Sequence, residues 1–380
     1  MADARSPAPP PAQRTLLSWS LVIAFAAMGW MQTSSLLAFQ PLGVDFLPLW
    51  TASRLGAAHA YDVRLVTDQQ AWLMGHLVWA RPFVNPPTTL LVLAPLSALP
   101  FWPALWAWNG AGLAALLAAT AKLAGHGRAA ALALGALAPP VVLALLVGQS
   151  VLLTAGLAAL AIAWLEPRPR LAGALIAVAA AIKPQALLVA PVALVACGAW
   201  EAFASAAVCG LALAALSVLV FGWQRWAEWL SILPAFQAEI AAAPGMMRGV
   251  IAPTELAREF GLSGAAVLAL RMLCGLAGAL LTWNVFRRSA DPALRAAAVL
   301  CGGLLASPYA LHYDASVLIP AAAARAAADA PESRAWLTRL LALLAAALAV
   351  RPYLGAPLLV AFAALTLIEI VPTPPVGRRS

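Results

Sequence analysis

Long apolar runs, punctuated by single polar residues and prolines, make up nearly the whole chain. After a Pro/Ala-rich start, Met1 to Arg14, the stretch Leu16 to Phe39 is apolar throughout. It is too long for a signal-peptide core and lacks a small-x-small cleavage site, so it predicts an uncleaved membrane anchor. A polar segment follows at about 40–87, and its interior, Val63 to Val78, has the two-faced pattern of a helix lying at a membrane interface. Beyond Asn85-Pro86-Pro87 come a short apolar piece, Thr88 to Leu99, and a longer one, Phe101 to Ala121. Pro95, Pro100 and Pro103 break this region. The short piece is therefore expected to be re-entrant or a half-helix, which a membrane tolerates only where protein or water covers the backbone.

Apolar runs then recur at about 129–147, 151–165, 171–182, 186–198, 202–221, 262–286, 293–306, 315–328, 336–350 and 354–371. Several are shorter than the roughly 20 residues that cross a bilayer unaided, and these predict tilted or broken spans. Between them, Gly222 to Leu262 reads as a second long loop, partly helical, able to cover a site as a lid. The fold class expected is all-α: a polytopic membrane protein of about 10–13 transmembrane helices with interfacial helices outside. Its layout is a tail over 1–15, one transmembrane unit over 16–371 with outer loops at about 40–87 and 222–261, and a tail over 372–380.

Composition sharpens this pattern. The chain is 63% hydrophobic and 10% charged, against roughly 45–50% and about 25% for soluble domains. That excludes a soluble enzyme and a disordered chain. The net charge of +8 would suggest nucleic acid in a soluble protein; here the cations read as orientation signals in cytoplasmic loops, and no nucleic-acid partner is expected. With the N-terminus inside and 88–99 not crossing, Lys122, Arg128, Arg168, Arg170, Arg287, Arg288, Arg295, Arg325, Arg334, Arg339, Arg378 and Arg379 join Arg5 and Arg14 on the cytoplasmic side, while the two longest loops lie opposite. Both termini are then cytoplasmic in a plasma (inner) membrane. The four cysteines lie in apolar runs with no C-x-x-C pair and read as small buried hydrophobes.

In this topology Asp45, Asn85, Gln149, Lys183, Gln185, His312, Tyr313 and Asp314 all fall at the extracytoplasmic ends of spans. Charged groups at a membrane surface are costly unless used or paired. Asp45 reads as a general base taking a proton from an acceptor hydroxyl, or as a cap for a helix after Pro48 or a partner for Arg54. Lys183, where Pro184 ends a helix, suits a phosphate as a point charge, or snorkels to the interface. Gln149 and Gln185 suit sugar hydroxyls or interhelical hydrogen bonds. His312, with Tyr313 and Asp314, binds the phosphate, orients a hydroxyl, or is structural. Asn85 contacts ligand or shapes a turn. His59, Asp62 and His76 lack metal-ligand spacing such as H-E-x-x-H, and no metal is expected. Nor is there a P-loop, a Rossmann fingerprint or a nucleophile elbow.

At these positions the sequence resembles glycosyltransferase family 87, the polyprenol-phosphate-mannose-dependent mannosyltransferases of the GT-C superfamily. The pieces that carry the resemblance are Gly43-Val44-Asp45-Phe46 with Tyr61-Asp62, Asn85-Pro86-Pro87 with Ala94-Pro95-Leu96, Gly148-Gln149-Ser150, Ala181-Ile182-Lys183-Pro184-Gln185, and Ser307-Pro308 with Tyr313-Asp314. They occur in the family's order over about residues 40–320. The resemblance implies a membrane hexosyltransferase with an extracytoplasmic site, moving mannose from a polyprenyl phosphate to a lipid- or glycan-borne hydroxyl with inversion. Asp45 matches the superfamily's first-loop carboxylate, the base. Val84-Asn85 stands where an aromatic commonly precedes the Pro-Pro pair, and the first loop has no Asp-x-Asp pair for a metal-bridged nucleotide sugar. The partners implied are membrane lipids, the lipid-linked donor and the acceptor. No cofactor is implied, and no oligomeric state is fixed. The competing expectation is a transporter or flippase of a polyprenyl-linked or small polar substrate. Transporters usually hold ionisable groups near the midplane and often carry internal repeats; of the notable polar residues only Arg271 lies well inside a run.

Overall fold

The computed structural model describes residues 19–28, 30–31, 41–75, 81–125, 127–242, 250–328, 340, 342–345, 347 and 355–369. The tails expected at 1–15 and 372–380, His76 and Val78, and most of the 336–350 run lie outside the described residues. Among those described the regular structure is helical, and β pairing is limited to one antiparallel bridge between Val250 and Leu311.

The helices run in the order α1 (Trp19–Met28), α2 (Leu47–Leu55), α3 (Val63–Met74), α4 (Pro87–Leu93), α5 (Phe101–Leu123), α6 (Arg128–Leu137), α7 (Pro139–Val147) and α8 (Val151–Ala163). The second half holds α9 (Pro169–Ile182), α10 (Ala190–Ala196), α11 (Trp200–Phe221), α12 (Gln224–Ala242), α13 (Pro253–Glu259), α14 (Gly264–Arg288), α15 (Pro292–Ala306), α16 (Ile319–Ala327) and α17 (Gly355–Glu369). Short 3-10 turns follow α4 (Ala94–Ala98), follow α9 (Pro184–Leu187) and precede α16 (His312–Leu318).

The chain is thus all-α and polytopic. Among the described residues α5, α11 and α14 are each long and apolar enough to cross a membrane, and α6 with α7 makes a fourth candidate bent by 49°. The bend follows from Pro139 and Pro140, which supply no N–H and push the preceding Ala138 into an extended conformation. Most other described apolar runs form helices of 10–17 residues, and α16 has 9; at about 1.5 Å per residue these fall short of a ~30 Å hydrocarbon layer unless joined to a neighbour. The 88–99 piece is one of them, broken at Ala94-Pro95 into α4 and a 3-10 turn.

Helices α5 and α8, α9 and α11, and α14 and α15 pack as neighbours. Small residues let their backbones approach: a methyl group added at Gly278 of α14 would lie 2.5 Å from the Gly302 carbonyl of α15. Such close backbone contact is how helices associate in lipid, where apolar surface alone gives no preference for a protein neighbour. Helix α11 buries only Ala202 and Ser217 and presents Val208, Leu211 and Leu219 outward, a face suited to lipid.

Charges separate to opposite ends of this bundle. At one end, the α8–α9 and α14–α15 connections and the last turns of α16 and α17 carry Arg295 paired with Glu166 at 3.1 Å, and Arg325 paired with both Asp291 and Glu369. The α7–α8 connection, the end of α9 and the α15–α16 connection lie at the other end, and they hold the residues described next.

Candidate active site

The site residues lie at helix ends and in the connections between helices, and local causes end the helices there. Helix α7 ends at Gly148, whose φ of 76° is the left-handed conformation that glycine adopts without strain. The last carbonyls of a helix have no intrahelical partner. Here Leu146 and Val147 accept from the main-chain N–H groups of Gly43 and Asp45, both at 2.8 Å. A Cβ at Gly148 would fall 2.6 Å from the Cβ of Phe46, so the Gly43–Phe46 turn lies directly on the α7–α8 connection. This docking brings Gln149 to Asp45.

Asp45 is 7% exposed. Gln149 Nε2 donates to its Oδ2 at 3.0 Å, and the Arg81 guanidinium forms an ion pair with Oδ1. Neither alternative reading of Asp45 is realised in this geometry: helix α2 is capped at Phe46 with no side-chain bond, and Arg54 donates instead to the Ser97 carbonyl at 2.7 Å. Arg81 is held by Gln70, a buried residue of α3 whose side chain accepts from the Arg81 N–H at 3.0 Å and donates to its carbonyl at 2.6 Å. Helix α3 is the amphipathic helix expected in the first loop. It begins at Asp62, whose carboxylate accepts from the Leu65 N–H at 3.0 Å, a standard N-cap bond.

Lys183 sits just past α9. Pro184 disfavours helical geometry at Lys183, so α9 stops at Ile182, and the carbonyls of its last turn have no partner within the helix. The second polar motif fills them: Asn85 Nδ2 donates to the Ile182 carbonyl at 3.0 Å, and Thr88 and Thr89 donate to the Ala181 carbonyl at 2.6 and 3.1 Å. Asn85 therefore secures the helix end next to Lys183. Its own carbonyl accepts from Tyr61 at 2.8 Å. Burial, with the nearby Glu228 carboxylate, pushes the Tyr61 hydroxyl above its ordinary range, while Arg225 opposes.

Lys183 forms a buried ion pair with Asp314; the two are 8% and 3% exposed. Asp314 Oδ2 also accepts from the Leu311 N–H at 2.9 Å. The Lys183 ammonium lies 5.7 Å from the centre of the Tyr313 ring, a cation–π distance. Tyr313 joins the two ion pairs: it bonds to Gln149 and lies in the field of both Asp314 and Arg81. Burial and the Asp314 charge hold its hydroxyl protonated, with Arg81 and the Gln149 bond pulling the other way. Gln185 bonds to Tyr309 one turn before. His312 is half-buried, its ring 5.5 Å from that of Tyr313.

The second long loop lies over this region. Arg225 of α12 donates to the Ala57 and Ala58 carbonyls, at 3.1 and 2.6 Å, Trp229 donates to the Val84 carbonyl at 2.9 Å, and Phe236 meets Tyr309 edge-on at 6.0 Å. At the far end of the loop, Ile251 N–H donates to the Ala310 carbonyl at 2.8 Å. Arg271 of α14 reaches the same connection, with Nη2 3.4 Å from the Pro308 carbonyl.

Asp45, Gln149, Tyr313, Asp314 and Lys183 thus form one connected group; Asn85 bonds to Ile182 beside Lys183, and Gln185 bonds to Tyr309. Sequence reasoning missed Arg81 and Gln70. The available signal was Arg81 itself, the one charge in the otherwise apolar Leu77 to Leu93 stretch apart from the polar Asn-Pro-Pro-Thr-Thr motif. Among the described residues no group of three or more His, Cys, Asp or Glu is placed to hold a metal ion.

The family model of glycosyltransferase family 87 matches residues 83–308, more than half of the chain. No curated protein and no solved structure matches it.

Proposed function

Because the chain belongs to glycosyltransferase family 87, and is therefore a membrane glycosyltransferase, we propose that it moves a hexose, mannose, from a polyprenyl phosphate to a lipid- or glycan-linked hydroxyl. The observation that carries this reading is a buried carboxylate, Asp45, joined through Gln149 and Tyr313 to a buried ammonium, Lys183, at one end of a helical bundle. A base and a phosphate clamp are what an inverting transfer from a lipid phosphate requires.

In that reaction Asp45 takes the proton from the acceptor hydroxyl. The hydroxyl oxygen bonds to the sugar C1 from one face while the bond from C1 to the phosphate oxygen breaks on the other, and the polyprenyl phosphate departs with the electron pair. Phosphate is a good leaving group, so positive charge and hydrogen-bond donors suffice in place of a general acid. Lys183 and His312 are the residues we assign to the phosphate, and Gln149 and Gln185 to sugar hydroxyls. Tyr313 and Asp314 orient the lysine. The donor's tail lies among the helices, and a GT-C-like arrangement in the plasma membrane, with this site outside and the arginine-rich end in the cytoplasm, agrees with the positive-inside rule. No cofactor or metal enters; the lipid-linked sugar is a substrate. The position of these charges at helix ends favours transfer chemistry over transport, which usually centres on the midplane.

The direct test is Asp45→Asn in membranes supplied with labelled polyprenyl-phosphate-mannose. Transfer is expected to fall by about 10²-fold or more. Transfer at near the original rate would remove Asp45 as the base.

A further inference from the structure

We propose that Arg81 is shared between two anions: without donor it occupies the carboxylate of Asp45, and on donor binding it moves to the donor phosphate, so that the base is freed only when a donor is in place. This rests on the reading of Asp45 as the base, and it adds a residue and a sequence of events that the reading does not contain.

The first argument is charge. Two cations and two carboxylates meet in the site, Arg81 with Asp45 and Lys183 with Asp314. Paired in this way they sum to zero, whereas the donor is an anionic phosphodiester and the departing polyprenyl phosphate carries more negative charge still. Around these pairs such a ligand gains net positive charge when one cation turns from its carboxylate toward it.

The second argument is which cation is free to turn. Lys183 is boxed in: its side chain is 9% exposed, held by Asp314 and stacked near the Tyr313 ring at the end of a packed helix. The Arg81 side chain is 25% exposed, and its residue lies in a segment without regular structure ahead of α4. Gln70 fixes its main chain on both the N–H and the carbonyl side. The guanidinium can therefore swing without moving the backbone. Its buried Nε has no hydrogen-bond partner, so part of its donor capacity is unspent, a cost that a second anion would recover. Guanidinium matches phosphate in a bidentate manner that a lysine cannot.

The third argument is the base. Asp45 Oδ2 is taken by Gln149 and Oδ1 by Arg81. An incoming hydroxyl must share Oδ1 with the guanidinium until Arg81 leaves. The Arg81 charge already acts on the Tyr313 hydroxyl, and Tyr313 adjoins the Lys183–Asp314 pair. A phosphate between Arg81 and Lys183 would have a cation on each side.

The test is a double-mutant cycle on binding. The probe is sugar-free polyprenyl phosphate, titrated onto the full chain in lipid nanodiscs. If Asp45 competes for Arg81, Asp45→Asn tightens binding by at least about threefold, within the range of coupling between residues in contact. Arg81→Gln weakens binding, and adding Asp45→Asn to it restores nothing. Unchanged affinity in Asp45→Asn alone overturns the proposal, and this arm needs no Arg81 variant to fold. An equal gain in the Arg81→Gln background also overturns it, because plain repulsion between Asp45 and the phosphate would then explain the effect. Transfer of labelled sugar is measured separately. Loss of transfer in Asp45→Asn with unchanged binding leaves the base intact and removes the shared arginine; retained transfer removes the base itself.

Discussion

Asn85 donates its side-chain amide to the Ile182 carbonyl at 3.0 Å across 97 residues of sequence, so the first Pro-Pro motif braces the helix end from which Lys183 emerges. The bond satisfies a last-turn carbonyl of α9 that has no partner within the helix. Removing it should disturb the lysine's position more than the fold. Asn85→Ala is expected to cost about 1 kcal/mol of stability, the net value of one such hydrogen bond. Transfer should fall further, by about tenfold or more, since small displacements of a positioned group are costly. A thermal melt in detergent and a transfer assay on one preparation check the two together. A loss of transfer no larger than the loss of stability would remove the bracing role.

Lys183 and Asp314 should behave as a buried pair. Deleting one charge leaves the other unsolvated, so Lys183→Met and Asp314→Leu should each destabilise the protein by about 3–5 kcal/mol. The double variant should regain much of that stability while remaining inactive, because the ammonium assigned to the phosphate is gone. Denaturation of all three variants, alongside transfer, is the measurement; a double variant less stable than either single one contradicts the pairing.

Alkaline pH should weaken the first loop. The Tyr61 hydroxyl is held above its ordinary value of 10.0 by burial and donates to Asn85. A group whose folded value is raised contributes stability that is complete below its unfolded value and is lost as the pH rises through the folded one. Stability should thus be flat in this respect below about pH 10 and decline above it. Tyr61→Phe should lower stability at neutral pH, by about 1 kcal/mol for the lost bond, and should make the alkaline decline shallower. Melting temperatures over an alkaline pH series decide it.

The sidedness of the site can be read chemically. Asp68 is exposed on α3, in the loop assigned to the outside. In Asp68→Cys an impermeant thiol reagent added to intact cells should label the protein well above the background from the four natural cysteines. Labelling only after the membrane is opened would reverse the orientation.

Much of this protein was written in one dimension. Apolar runs, their lengths and their prolines determined that the chain is helical and membrane-bound, and where helices break. Lipid leaves a segment little choice: backbone groups must be satisfied within the helix, so hydropathy alone reports the outcome. The same logic singled out Asp45, Gln149, Lys183 and Asp314, because a polar side chain beside an apolar run is costly and stands out. Partnership was another matter. Lys183 meets Asp314 across 131 residues, and Gln149 meets Asp45 across 104. Arg81 takes the place on Asp45 that sequence proximity would have given to Arg54. Sequence spacing carries no record of these meetings, since they arise only when the open carbonyls at the ends of α7 and α9 are filled by distant N–H groups. That closure is a property of the packed bundle, and it turns scattered polar residues into one site.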